Sequence, residues 1–202
     1  MKFSSRLWPM WGRSAAYVLV PLLLYVMGRQ TEVVGGAQRL LLTTGLFNPA
    51  LTPAARLVPN KQADYSLPLL TLEGKPTSLG ALRGKVVFLN LWATWCPPCV
   101  AEMPGIQHLY EQLKTEPKIA FVLLSLDQNP DKARRFVARR GFTMPAYTLN
   151  GNLPAAFETG SIPTTFIISP TGEIVARHEG MADYDRPEVA RLLRRLQTAA
   201  VK

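Results

Sequence analysis

A chain of 202 residues with 48% hydrophobic composition is long enough for one packed domain of ordinary size and an appendage. The 23 Lys/Arg outweigh the 14 Asp/Glu to leave +9, but residues 1–60 hold six basic residues against one acid and residues 61–202 seventeen against thirteen. The folded part is only mildly basic, and its runs "DKARRFVARR" and "RLLRRL" carry apolar residues at helical spacing, so they read as solvated helix faces and not as a nucleic-acid surface.

Lys2, Arg6 and Arg13 lead into the uncharged stretch "SAAYVLVPLLLYVMG" at residues 14–28, which Arg29 closes. A basic flank followed by an apolar run is an export signal. As a helix the stretch reaches about 22 Å, short of the roughly 30 Å hydrocarbon core, and Pro21 interrupts it. The apolar character also reaches back through Leu7, Trp8, Met10 and Trp11, which suit a membrane interface. Residues 1–28 are therefore expected to be a signal anchor or a cleaved signal peptide. Either places the remainder outside the cytoplasm, in the periplasm or its equivalent, and the anchor would hold it to the inner membrane. Residues 29–62, punctuated by Gly35, Gly36, Pro49, Pro53 and Pro59, are expected to be a tether, and residues 63–201 the folded domain.

The domain opens with "ADYSLPLLTLEGKPTSLGALRGK", two short strands around a turn at Glu73 and Gly74, hence a β-hairpin. "VVFLNLW" is apolar almost throughout, as a central strand buried on both faces would be. Val100, Met103, Ile106, Leu109 and Leu113 then form one helical stripe, with Pro104 expected to kink the helix. "KIAFVLLSL" predicts a second buried strand, parallel to the first, and Pro130 opens a helix burying Ala133, Phe136 and Val137. "TTFIIS" and "EIVARH" flank the turn "PTG" and should pair antiparallel. A last helix follows "DRPE", with Asp185 as the expected cap. The elements add up to an α/β domain, a mixed central sheet with helices on both faces, preceded by the hairpin.

The only cysteines, Cys96 and Cys99, enclose two prolines where a buried strand turns into a helix. Haem attachment needs a histidine after the second cysteine, and Val100 stands there. Zinc needs further ligands, and the only histidines, His108 and His178, are far apart in the chain. A purely structural disulfide across so short a loop removes little entropy from the unfolded chain. Thiol-disulfide exchange fits better, because unpaired N–H groups and the positive dipole end of a helix favour the thiolate of Cys96, which Cys99 can then displace from a mixed disulfide. Pro97 and Pro98 tolerate the first helical turn but withdraw two N–H donors, which leaves the thiolate less stabilised and the pair more reducing.

"GKVVFLNLWATWCPPCVAEMP" together with "SIPTTFIISPTGEI" resembles the thioredoxin-fold thiol-disulfide oxidoreductases of the TlpA/ResA type, over residues 63–197. The resemblance implies a thioredoxin fold with Cys96 as nucleophile, Cys99 as resolving thiol and Trp95 at the rim. It also implies that Pro163 is a cis-proline beside the disulfide, with Ile162 offering backbone to an extended client segment. Asn90 stands where thioredoxin itself has an acidic proton carrier, and Glu102, on the face of the helix that carries Cys99, is similar to a glutamate this family keeps near its site and would be the base for the buried thiol, the competing reading being a solvated carboxylate favoured by the helix N-terminus. No cofactor and no metal are implied. The implied partners are client proteins with disulfides, apocytochrome c among them, and a membrane thiol donor; the protein would act as a monomer. An oxidase or isomerase on the same fold, or a non-catalytic binding module, are the competing readings.

Overall fold

The computed structural model describes residues 61–199, so the leader and nearly all of the tether lie outside the described residues. Seven strands form one sheet: β1 (Pro68–Thr71), β2 (Pro76–Ser78), β3 (Val86–Trp92), β4 (Ile119–Ser125), β5 (Ala146–Leu149), β6 (Thr164–Ile168) and β7 (Ile174–Glu179). Among the described residues three α-helices accompany them, α1 (Pro97–Leu113), α2 (Pro130–Arg140) and α3 (Pro187–Ala199). The order across the sheet is β2-β1-β5-β4-β3-β6-β7. β3, β4 and β5 run parallel, while β6 and β7 on one side and β1 and β2 on the other pair antiparallel.

The expected strand "VVFLNLW" is β3, buried at every position, and its period of two divides the core. Val86, Phe88 and Trp92 join the stripe of α1, Ala133, Phe136 and Val137 of α2, and Val189 and Leu193 of α3. Val87, Leu89 and Leu91 face the other way, against Leu67, Leu69, Leu79 and Phe157. Helical turns thus cover both faces, α-helices on one and the short 3-10 turns Leu79–Leu82 and Ala155–Phe157 on the other. Each fully buried large side chain of the α1 stripe contributes about 1.5–3 kcal/mol. Against that, Pro104 removes a single hydrogen bond, and α1 runs through it without a break.

The hairpin forms as expected, with Gly74 at φ 83° in the turn, and β1 is also sewn to the sheet through β5. β5 has no strong sequence signal, since "AYTL" is short and mostly half-buried; its register with β4 and β1 supplies the pairing that its composition does not. The expected role of Asp185 is corrected: α3 starts at Pro187, and the Asp185 carboxylate reaches the His108 ring on α1. Among the described residues no helix is long and apolar enough to cross a membrane.

Candidate active site

β3 ends at Trp92 and the chain reaches Cys96 through a loop held from below. Asp127, just beyond the end of β4, accepts from the Thr94 N–H at 3.0 Å and the Thr94 hydroxyl at 2.7 Å, and the Ser125 hydroxyl donates to it at 2.8 Å. Cys96 is the N-cap of α1 and Pro97 and Pro98 occupy the first helical positions, where their missing N–H groups are least needed. The first N–H after the prolines, that of Cys99, points at Cys96 Sγ at 3.3 Å. The two cysteines are joined in a disulfide with 5.3 Å between Cα atoms. Cys96 is 5% exposed and Cys99 wholly buried, so what little of the pair meets solvent belongs to Cys96.

The antiparallel register of β3 and β6 sets Leu91 against Thr164, which brings the residues just before β6 beside the cysteines. The Ile162-Pro163 peptide bond is cis, and the Ile162 carbonyl oxygen lies 3.7 Å from Cys96 Sγ. Trp95, 59% exposed, is the one large hydrophobic side chain left open among the described residues. Trp95, Cys96 and Ile162 thus gather at the mouth of the helix.

Glu102, one turn after Cys99, is not a solvated helix-face carboxylate: it is 1% exposed. Its Oε1 accepts from Asn90 Nδ2 at 2.8 Å and its Oε2 from the Ala182 N–H at 3.2 Å. Burial pushes its pKa up to about 8, and the two hydrogen bonds, which favour the charged form, only partly oppose that. Asn90 Nδ2 also donates to Thr165 Oγ1 at 2.9 Å, and the Tyr184 hydroxyl donates to the same oxygen at 2.6 Å. Burial, then the charge of Glu102, raises the Tyr184 pKa well above its ordinary value, so the phenol keeps its proton. The strap after β7 closes this pocket, since the Gly180 N–H donates to the Pro163 carbonyl at 2.8 Å and the Ala182 N–H to Glu102.

The structure therefore brings together Trp95, Cys96, Cys99, Ile162 and Pro163 at the helix mouth and sets Glu102 behind them. Sequence reasoning missed Asp127, Thr165 and Tyr184. Asp127 had a signal, an acid just past the carboxyl end of a parallel strand, where open α/β sheets place their sites. Thr165 and Tyr184 had none, because only the pairing of β6 with β3 and the path of the strap carry them to Asn90.

Curated relatives share the region. ResA of Oceanobacillus iheyensis, a thiol-disulfide oxidoreductase by name, is 40% identical over 111 residues, and ResA of Halalkalibacterium halodurans is 39% identical over 110; each match covers 54% of this chain. The matched region spans 57% and 62% of those relatives' own lengths. A crystal structure of a thiol:disulfide interchange protein of the thioredoxin family from Chlorobium tepidum superposes with a TM-score of 0.58 at 24% identity, covering 70% of this chain and 99% of that one, and so shows the thioredoxin-like fold. The model of the Redoxin family matches residues 50–193, and the chain belongs to that family.

Proposed function

We propose that the protein is an extracytoplasmic thiol-disulfide oxidoreductase that reduces the disulfides of client proteins. The observation that carries the reading is the placing of one dithiol at a helix mouth, with Cys96 at its slightly exposed edge and Cys99 wholly buried, and a buried carboxyl a turn beyond. Kinship with proteins named for this chemistry supports it.

In the reduced protein the Cys96 thiolate attacks one sulfur of a client disulfide. That S–S bond breaks, the far sulfur leaves as a thiolate and takes a proton, and Cys96 is joined to the client. The Glu102 carboxylate takes the proton of the Cys99 thiol, and the Cys99 thiolate attacks Cys96 Sγ, closing the disulfide seen here and releasing the client's second sulfur. Two electrons have passed to the client, and a thiol donor restores the pair. A carboxyl with a pKa of about 8 is suited to this, because near neutral pH it can both accept and return a proton. Trp95, Ile162 and Pro163 form the surface on which an extended client segment lies, with the Ile162 backbone as its edge. Pro97 and Pro98 leave Cys99 as the first N–H donor to Cys96 in the helix, in keeping with a weakly stabilised thiolate and a reducing couple. Residues 1–28 export the chain and, uncleaved, anchor it to the membrane that holds its donor; residues 29–62 are the tether. Apocytochrome c is the client class that the family resemblance points to.

The test is insulin reduction by the chain in the presence of a dithiol, compared with Cys96→Ser, and trapping of clients in the native cell with Cys99→Ser. Reduction lost in Cys96→Ser and disulfide-linked clients on Cys99→Ser are expected. Cysteines found oxidised in intact cells would contradict the reductase direction, and unchanged insulin reduction by Cys96→Ser would contradict the exchange chemistry.

A further inference from the structure

The pocket behind Cys99 contains a mismatch. Both oxygens of Glu102 face hydrogen-bond donors, the Asn90 amide and the Ala182 N–H, an arrangement that suits the ionised carboxylate, which only accepts. Burial nevertheless pushes the group's pKa to about 8, so at neutral pH it carries a proton for which no acceptor is provided. Alongside, Asn90 Oδ1 is buried without a hydrogen-bond partner, and a buried orphan of that kind asks for an explanation. Thr165 Oγ1 accepts from both Asn90 Nδ2 and the Tyr184 hydroxyl, which fills its two lone pairs and leaves its own proton free to donate.

One movement gives the Glu102 proton an acceptor and Asn90 Oδ1 its partners. We propose that Asn90 is a positioning residue with two settings: its amide donates to the Glu102 carboxylate as seen here, and, turned over about its terminal side-chain bond, it accepts the proton of the carboxylic acid. The two ends of the amide are nearly equal in size, so the turn changes chemistry and not shape. In the second setting Asn90 Oδ1 lies where Nδ2 now lies. It accepts from Glu102 Oε1–H and from the Thr165 hydroxyl, which reverses its bond, while Tyr184 continues to donate to Thr165 and Ala182 to Glu102. Each setting holds four hydrogen bonds among these groups and leaves one end of the amide without a partner among them, Oδ1 in the first and Nδ2 in the second, and the carboxyl is the one group that gains or loses a proton. The inference deepens the role proposed for Glu102 and rests on it, since a base that must cycle between two protonation states needs a neighbour that fits both.

The surroundings leave this amide as the group that can respond. No cation contributes to the shift of Glu102. From β3 it faces Asn90 and from the strap Tyr184, which stays protonated, while Cys99 on its own helix is held in the disulfide. On β7, His178 is paired in register with Thr165, and burial depresses its pKa and favours the neutral ring; the exposed His108 on α1 is occupied by Asp185 of the strap.

The experiment is a pH titration of the full chain by NMR with the disulfide intact, so that no thiol titrates. The Glu102 carboxyl carbon, assigned through Glu102→Gln, reports the proton; nuclear Overhauser contacts between the Asn90 amide protons and Glu102 Hγ report the setting. Contacts present above the Glu102 midpoint and lost below it, with the amide shifts moving at the same midpoint, are expected. Amide contacts unchanged while the carboxyl titrates would overturn the inference and leave Glu102's role as base intact. Conversely, a turning amide in a protein whose exchange has the same pH profile with Glu102→Gln would keep the inference and remove the base.

Discussion

At the mouth of α1, Trp95 stands 59% exposed and the groups around Cys96 Sγ are backbone, the Cys99 N–H and the Ile162 carbonyl. One turn deeper, Asn90, Glu102, Thr165 and Tyr184 are all buried and hold one another through their side chains. The two regions differ in what a substitution does to them. On the proposed function, a surface of backbone groups would accept client segments of varied sequence, since every residue offers the same N–H and C=O. A buried side-chain network works for one set of partners only, because a polar atom that loses its partner there has no water to turn to.

The cysteines mark the sharpest break between the regions. Cys96→Ser is expected to abolish exchange altogether, whereas Cys99→Ser keeps the first attack and accumulates mixed disulfide, to be seen on non-reducing gels. The next effect lies in the pocket. Folding raises the Glu102 pKa from 4.5 to about 8, so between those values the native state holds a proton that the unfolded state has lost. Stability therefore falls as pH rises through this window, by at most about 1.4 kcal/mol per pH unit, and the contribution is complete below it. Urea denaturation from pH 4 to 9 checks this, and Glu102→Gln should flatten the slope. A slope unchanged by Glu102→Gln would mean that the carboxyl is not the buried titrating group.

Beneath the mouth, Asp127→Ala removes the acceptor for the Thr94 N–H, the Thr94 hydroxyl and the Ser125 hydroxyl, and should cost about 2 kcal/mol in denaturation. The smallest effect belongs to the most exposed group. Trp95→Ala should change stability by less than about 0.5 kcal/mol while raising KM for a protein disulfide and leaving kcat nearly unchanged. A large loss of stability there would erase the distinction between an open mouth and a packed pocket.

The same distinction decides what could be read from the chain. Cys96, Cys99 and the two prolines are neighbours in sequence, and β3 shows its burial by an almost unbroken apolar run, so the strand-to-helix junction and the cysteine pair set in it were legible. Pro163 needed the resemblance, because nothing local distinguishes an Ile-Pro bond that will be cis. The surroundings of Glu102 were out of reach, since Asn90, Thr165, Ala182 and Tyr184 are joined only by the β3–β6 register and the path of the strap. β5 stayed hidden for a similar reason: its pairing with β4 and β1 makes it a strand, and "AYTL" by itself does not.

The central claim is that the mouth attacks and the pocket resolves, and separating the two steps in a single turnover tests it most directly. Rapid mixing of the reduced chain with a disulfide probe reads the first step as mixed-disulfide formation and the second as release of the second thiol. Glu102→Gln is predicted to leave the first step within about twofold and to slow the second by about 10²-fold near neutral pH. Equal slowing of both steps, or an unchanged second step, would contradict the account.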